Sequence, residues 1–169
     1  MSKRIIEFGT WDGKPIEWLV LKEEGLATLV FAKEVIQRGV NFNDNNSNKN
    51  WATSDIRRYL NQTFYEVSFS AEEKKKIINC CLEDSGFSKD NIFLLSVGEI
   101  RTYTNEADRK ASCWYWLRTP SPYKSNSVTY VWGNGRINDD HVDGNWAESG
   151  CSIFGGDCGV RPAMWIKEE

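Results

Sequence analysis

The chain has 169 residues, and its 21 lysines and arginines against 24 aspartates and glutamates give a net charge of -3. A chain of this length is expected to form one domain, over residues 1–169, and to bury roughly 70% of the surface that its extended form exposes. The mildly acidic balance argues against nucleic-acid binding, because a phosphate backbone attracts basic surfaces. No apolar run approaches the ~18 residues of a membrane-spanning helix, and the start, MSKRIIEFG, lacks a signal-peptide core. The sequence therefore predicts a cytoplasmic chain without membrane insertion, with surface display through a partner as the alternative.

The histidine, aromatic and cysteine counts narrow the functional classes further. His141 is the single histidine, which excludes sites with several His ligands. Eight tryptophans, six tyrosines and eight phenylalanines are enough for a core and for a recognition surface as well. Five cysteines, with Cys80 next to Cys81, fit no ordinary disulfide framework and are expected to act as small buried side chains. Cys151 and Cys158 enclose a loop, and the sequence leaves open whether they pair.

The first third of the chain is predicted to form three strands, RIIEFG, PIEWLVLKE and LATLVFAKEV, separated by turn residues. A helix is predicted next, capped by Thr53 or Ser54, with Ile56, Tyr59, Leu60 and Phe64 forming its buried stripe. The neighbouring side chains of Arg57 and Arg58 are expected to be solvated.

Two S-x-x-E sequences predict two further helix starts. Ser70 with Glu73 is a capping box for a helix whose buried face would include Ala71, Ile78, Cys81 and Leu82. A buried strand, IFLLS, is expected to precede a second capping box at Ser96 and Glu99, followed by a short helix from about Val97 to Tyr103. The final VRPAMWI is expected to be a strand.

The composition changes after Cys113, where glycine, asparagine, aspartate and aromatic residues replace the helical pattern. A three-residue hairpin loop at 133–135 would place Tyr130 and Trp132 on the same face as Arg136 and Asn138. A two-residue Asn134-Gly135 turn would instead mix the faces. In the first case the face resembles an antibody paratope in its side chains, whereas the plainer interpretation is a solvated ribbon whose tryptophan covers the core.

Oxygen-bearing side chains at Asn138, Asp139, Asp140 and Asp143 suggest a cation site, but their spacing matches no EF-hand loop. No nucleotide-binding glycine motif is present, and nothing marks one of these carboxylates as a general acid. We therefore predict no catalytic residue, no bound metal and no cofactor.

At the level of motifs, the chain resembles the DUF6273 family, a bacterial domain of unknown function. The resemblance is carried by FGTWDGKPIEWLVL, WATSDIRRYLN, FYEVSFSAEEKKKI, IFLLSVGEI, WYWLRTPS and GVRPAMWI, from Ile5 to Ile166. That family is similar to C-type-lectin-like domains of the formylglycine-generating-enzyme type. The resemblance implies an α+β fold with small mixed or antiparallel sheets and two to three short helices. It also implies that the first and last strands pair and that an irregular segment, 113–160, displays the ligand surface.

The family is also similar to targets of diversity-generating retroelements, which randomise residues encoded by adenine-rich codons. Many positions between Tyr123 and Asp157 hold residues reachable from such codons, within a constant frame that includes Val131, Gly135, Ile137 and Val142. This would explain Cys151 and Cys158 as products of randomisation. The calcium-binding EPN, QPD and WND sequences of lectins are absent, and so is an upstream copper-binding cysteine pair, so neither activity is expected to carry over.

Together these patterns predict a non-enzymatic module that binds an unknown protein or surface ligand, with no prediction of oligomeric state. Arg118 and Arg161 are expected to tie loops together through bidentate hydrogen bonds. The predicted ligand-binding residues are Tyr123, Ser125, Asn126, Tyr130, Trp132, Asn134, Arg136, Asn138, Asp139, Asp140, His141, Asp143, Asn145 and Trp146. The alternatives are a metal enzyme using residues 138–143, a thiol enzyme using Cys151 and Cys158, and a fixed structural or adhesion domain.

Overall fold

The computed structural model describes residues 1–43, 49–122, 127–138 and 158–168, which form a mixed α+β fold. The described strands are β1 (Ile5–Trp11), β2 (Lys14–Glu24), β3 (Ala27–Ala32), β4 (Ile77–Ile78), β5 (Cys80–Leu82), β6 (Ser88–Asp90), β7 (Tyr115–Pro120), β8 (Val128–Val131), β9 (Ile137–Asn138) and β10 (Ala163–Lys167). The α-helices are α1 (Asp55–Tyr59), α2 (Tyr65–Ser68), α3 (Ala71–Lys76), α4 (Val97–Tyr103) and α5 (Glu106–Arg109), with a π-helical turn, Leu60–Phe64, joining the first two. These helices are more numerous than the two to three predicted.

The strands form three antiparallel sheets, with the orders β1-β2-β3-β10-β4, β5-β6 and β7-β8-β9. Short turns make the first three strands a meander, as the sequence predicts. The predicted pairing of the first and last strands is wrong: β10 pairs with β3, where Trp165 lies opposite Leu29, and with β4 on its other side. Five successive residue pairs align β10 with β3, and the other edge of β3 is paired with β2, so that two strands separate β10 from β1.

β1 is the outermost strand of the five-stranded sheet, and its regular strand pattern is interrupted near Gly9. The register of β1 against β2 shifts between Glu7 and Thr10. The backbone N–H of Gly9 donates a hydrogen bond to Glu73 Oε1 at 3.0 Å, and the Phe69 ring packs against the same glycine. Burial raises the pKa of Glu73, but hydrogen bonds from the Ser70 and Gly9 backbone outweigh it, so that the pKa lies below its usual range.

The predicted helix starts are confirmed. Ser54 caps α1 and accepts a hydrogen bond from the Arg57 backbone, and the stripe that follows it, through Phe64, faces the core. Capping boxes are present at Ser70 with Glu73 and at Ser96 with Glu99.

The helix that begins at Ser70 is shorter than predicted. It ends at Lys76, and Ile77 and Ile78 pair with β10 instead. Cys81 consequently lies exposed on β5, and Ala71, in the first turn of α3, is exposed as well, so the predicted buried helical face is wrong. The pairing of two β-branched residues with a central strand outweighs the local helical preference.

Arg57 is only partly solvated, in contrast to the prediction, with 30% of its side chain exposed. Its Nε donates to Asp90 Oδ1 at 2.5 Å, and Asp90 is fully buried. Trp51 Nε1 and Ser88 Oγ donate to the other carboxylate oxygen at 2.9 and 2.7 Å. This cluster joins α1 to the β5–β6 hairpin.

Arg161 lies at the centre of the fold with 1% of its surface exposed. Its guanidinium donates to the carbonyl oxygens of Ala32, Lys33, Asp108 and Arg109 at 2.7, 2.9, 2.8 and 3.1 Å. It also donates to the Tyr115 hydroxyl at 3.0 Å and lies 4.1 Å from the centre of the Phe31 ring. Burial raises the pKa of Tyr115 to about 12 and lowers the pKa of Arg161. One side chain therefore connects the end of β3, α5 and β7.

Arg118, on β7, has the predicted bidentate geometry. Its Nη2 donates to both oxygens of Asp84 at 3.0 and 2.9 Å, and the guanidinium also binds the Glu99 carboxylate. Burial by itself lowers the pKa of Arg118, but Glu99 and Asp84 raise it above its ordinary value. Arg118 thereby fixes α4 against the β7-β8-β9 sheet. None of the helices in the described part of the chain has the length and apolar character that crossing a membrane requires.

Candidate functional site

The candidate site is a β-hairpin built from β8 and β9. Tyr130 lies opposite Asn138 and Val131 opposite Ile137 in the ladder. The Trp132 N–H donates to the Arg136 carbonyl, and the Gly135 N–H donates to the Trp132 carbonyl, each at 2.8 Å. These bonds leave three residues, 133–135, in the loop, which is the first of the two turn alternatives. The side chains of Tyr130, Trp132, Asn134, Arg136 and Asn138 form what we call the hairpin face.

The loop is fastened to α5 and to the residues that follow it. The Ala111 N–H donates to the Gly133 carbonyl at 3.0 Å, and Arg109 Nε donates to the Gly135 carbonyl at 2.7 Å. Gly135 has a φ of 93°, and an added methyl group there would lie 2.5 Å from the carbonyl oxygen of Glu106. The backbone at the two glycines is therefore held from behind, while Asn134 and Arg136 are exposed.

Three aromatic rings lie at the base of the hairpin face. The Trp114 and Trp132 rings stack with their centres 5.8 Å apart and their planes 17° from parallel. Tyr130 meets both rings edge-on, at 5.1 and 5.2 Å. Tyr130 is 2% exposed, whereas both tryptophans are half-buried. Tyr130 therefore supports the face from below, and the accessible aromatic surface belongs to the two tryptophans.

A cavity of about 440 Å³ adjoins the loop, and we call it the tip cavity. It is lined by Arg101, Glu106, Arg109, Asn134, Arg136 and Ile137. A second cavity of about 810 Å³ lies on the other side of α5, between the start of the chain and β2. Its charges are matched internally, since Lys33 pairs with Glu17 at 2.9 Å and Lys3 with Asp108 at 3.9 Å. Of these two cavities, only the tip cavity is lined by more basic than acidic residues among those described.

Comparison with known protein families identifies the domain. The sequence profile of DUF6273, a domain of unknown function, matches residues 17–168. The chain belongs to the DUF6273 family. The matched range begins within β2, so that β1 and the FGTWDG turn precede it. Neither the curated proteins nor the solved structures contain a match to this chain.

Five of the predicted ligand-binding residues of this DUF6273 domain are described, and the hairpin brings all five together. Asn138 Nδ2 donates to the Tyr130 hydroxyl across the ladder, and the Arg136 backbone donates to Asn134 Oδ1 at 3.0 Å. The other predicted residues lie outside the described part of the chain: Tyr123, Ser125, Asn126, Asp139, Asp140, His141, Asp143, Asn145 and Trp146.

Sequence reasoning missed Trp114, Arg101 and Arg109 as neighbours of this face. Trp114 belongs to the WYWLR motif, and its alternation with the buried Tyr115 was the available signal. Arg101 and Arg109 lie on α4 and α5, and no local pattern connects them with a hairpin that begins about twenty residues later. Only the packing of the loop on α5 reveals the connection.

The described residues contain no group of three or more histidine, cysteine, aspartate or glutamate side chains that could hold a metal ion. Of the residues proposed for a metal or thiol enzyme, only Asn138 and Cys158 are described, so that neither cluster can be placed. Burial raises the pKa of the Cys80 thiol to about 11, and its Sγ donates to the Asp90 carbonyl. Because the thiolate is the reactive form, Cys80 is a poor nucleophile.

Substituting alanine for Gly135 tests how rigidly the loop is held. We expect a loss of about 2–4 kcal/mol in the free energy of unfolding, because the methyl group meets the Glu106 carbonyl at a φ that disfavours side chains. Gly13→Ala is the matched control, since Gly13 has a φ of 73° with nothing within 4 Å of the added methyl group. We expect a loss of only about 1 kcal/mol there, measured by urea unfolding. Equal losses would mean that the loop is not pressed against α5.

Proposed function

We propose that this DUF6273 domain is a non-enzymatic ligand-binding module. In this proposal residues 1–169 form one C-type-lectin-like domain whose 113–160 segment is diversified by a retroelement. The observation that carries the proposal is the alternation along the hairpin loop. Gly133 and Gly135 are fixed to residues 106–111, while the side chains of Trp132, Asn134 and Arg136 alternate with them on the accessible side.

This arrangement suits a surface that must vary without unfolding the domain. The hydrogen bonds that fasten the loop to Arg109 and Ala111 are accepted by the carbonyl groups of Gly133 and Gly135, so replacing the Asn134 side chain removes neither of them. The large buried clusters around Arg118 and Arg161 draw on residues outside the hairpin. A rigid backbone with aromatic and adaptable polar side chains is the composition that binding loops favour.

The aromatic rings of the hairpin face indicate which contact would supply most of the binding free energy. Trp132 presents a half-buried ring stacked on Trp114, which holds it in one orientation before any ligand arrives. Pre-ordered aromatic anchors surrounded by polar groups dominate the affinity of many interfaces. We place the main anchor at Trp132 and the specificity in Asn134, Arg136 and the predicted residues of the 139–146 range.

Sequencing of the gene's 3′ end in a growing population, together with the adjacent DNA, tests the diversification. We expect changes confined to adenine-derived positions between the WYWLR and GVRPA codons, next to a near-copy of that stretch and a reverse transcriptase gene. A uniform 3′ end without a template copy would contradict diversification and leave a fixed lectin-like domain, whether in the cytoplasm or displayed through a partner.

Trp132→Ala tests the binding role itself. Wild-type and variant chains are immobilised and incubated with surface proteins and glycans. These are extracted with detergent from cells that share the habitat of the cells carrying this gene. We expect the captured component to be lost with Trp132→Ala, while the unfolding free energy falls by only about 1–2 kcal/mol. Tyr130→Ala, which removes a buried ring, should cost about 3–5 kcal/mol.

Trp11→Ala is the matched control, because Trp11 is also half-buried and contacts an aromatic ring in another part of the fold, that of Phe64, with ring centres 5.3 Å apart and planes tilted by 55°. This variant should retain capture. Equal loss of capture in both variants would contradict a site at the hairpin. A stoichiometric copper or calcium ion in the purified protein would favour the enzyme alternative.

A further inference from the structure

We propose that the tip cavity binds an oxyanion of the ligand, a carboxylate or a phosphate group. This inference deepens the proposed binding function and rests on it for the identity of the surface. Among the described residues that line the cavity, three are arginines, Arg101, Arg109 and Arg136, and one, Glu106, is acidic. This local excess of basic residues is opposite in sign to the net charge of the whole chain, which is -3.

The geometry of Arg109 makes it the fixed point of the cavity. Its Nε donates to the Gly135 carbonyl at 2.7 Å and its Nη1 to the Thr104 carbonyl at 3.2 Å. Within the described residues, Nη2 donates no hydrogen bond, and this is the donor that we assign to the ligand. A guanidinium that is already oriented loses little freedom when it binds an oxyanion, and its planar N–H groups match the oxygens of carboxylate and phosphate.

The side chain of Asn134 completes the lining from the loop. Its Oδ1 accepts the Arg136 backbone N–H at 3.0 Å, which fixes the direction of the amide. The amide NH₂ group is a neutral donor beside the guanidinium groups. A cavity of about 440 Å³ can accommodate a phosphate or a short acidic side chain together with ordered water.

The positions of these arginines in the sequence have a further implication. Arg101 and Arg109 precede the 113–160 segment, whereas Asn134 and Arg136 belong to it. If that segment varies, the basic wall formed by α4 and α5 stays constant. We therefore assign the preference for acidic ligands to the constant wall, and the choice among acidic ligands to the hairpin face.

Titration calorimetry at low ionic strength, with pyrophosphate and glutarate as separate probes, tests this assignment. We expect saturable binding of at least one probe, with affinity falling as sodium chloride is added. Arg101→Gln and Arg136→Gln should each weaken binding about five- to tenfold, because each removes a charged donor. Glu106→Gln should strengthen binding about two- to fivefold, since it removes the one opposing carboxylate of the described lining. Arg109 itself is left intact because it also holds the loop.

Arg58→Gln provides the matched control, since Arg58 is an exposed arginine on α1 that pairs with Asp55 at 2.7 Å. It should leave the affinity unchanged. Binding of pyrophosphate alone would identify a phosphate ligand, and binding of glutarate alone a carboxylate ligand. The inference is overturned if neither probe saturates, or if Arg101→Gln and Arg136→Gln both bind like the wild type.

The two proposals can fail separately. Loss of capture in Trp132→Ala with no oxyanion binding would retain the binding module and remove the acidic ligand. Oxyanion binding that follows the arginine variants, combined with capture that does not depend on Trp132, would retain the cavity and remove the hairpin face as the binding surface.

Discussion

Arg161→Met is expected to lower the free energy of unfolding by about 3–5 kcal/mol, or to prevent folding. Arg161 donates to four carbonyl oxygens and a tyrosine hydroxyl, and its hydrogen bonds to the Ala32 carbonyl and the Tyr115 hydroxyl are fully buried. Methionine fills much of the volume but leaves these oxygens without their donor. The melting temperature should fall by roughly 10 °C or more for a domain of this size.

Two further variants test whether the loss of stability comes from the hydrogen bonds of the Arg161 guanidinium. Arg161→Lys keeps the positive charge but cannot reach acceptors spread over both edges of a guanidinium, so it should also destabilise. Arg58→Met removes an exposed arginine and should change stability by less than about 0.5 kcal/mol. A melting temperature for Arg161→Met within 2–3 °C of the wild type, on the order of a 1 kcal/mol change, would mean that the three segments do not depend on this side chain.

Asp90→Ala should have a similarly large effect, a loss of about 3–5 kcal/mol measured by urea unfolding. The buried carboxylate accepts from Trp51, Arg57 and Ser88. Without it the indole N–H and the hydroxyl stay buried with no acceptor, and the guanidinium loses its counter-charge.

Glu66→Ala is the matched control for the aspartate. Glu66 pairs with Lys74 at 2.6 Å, but 67% of its side chain is exposed, so its removal should cost less than about 1 kcal/mol. If the two variants unfold at the same urea concentration, the Asp90 cluster does not hold α1 to the β5–β6 hairpin.

The elements that sequence patterns predicted well have both interacting partners close together in the chain. The Ser70–Glu73 and Ser96–Glu99 capping boxes span three residues each, and both are present. The first three strands are joined by short turns, so that their order also follows from local signals. Such features need no knowledge of the rest of the fold.

The predictions that failed depend on partners distant in sequence. Arg57 meets Asp90, 33 residues away, and nothing near Arg57 indicates a buried carboxylate. Ile77 and Ile78 leave the helical pattern because β10 supplies a strand to pair with. Pairing of the first and last strands failed for the same reason, since strand order in a sheet is a non-local property.

In the candidate site, too, local features could be predicted from the sequence, whereas contacts between distant residues could not. The sequence allowed either a three-residue loop, with Trp132 and Arg136 on one face, or a two-residue turn, and the backbone bonds of the loop have the three-residue arrangement. Burial of Tyr130 could not be predicted from spacing, because it depends on the ring of Trp114. Arg109 became part of the site only through the contact of the loop with α5.

The hydrogen bond between Gly9 and Glu73 has a consequence for how this protein behaves at high concentration. An outermost strand whose N–H and C=O groups are unpaired can recruit the strand of another molecule and start aggregation. In β1 the Gly9 N–H is already occupied by a side chain of the same molecule, and the shift between Glu7 and Thr10 breaks the regular spacing that a recruited strand would need. The Glu73 side chain is therefore expected to hinder intermolecular sheet growth, in addition to its part in the capping box of α3.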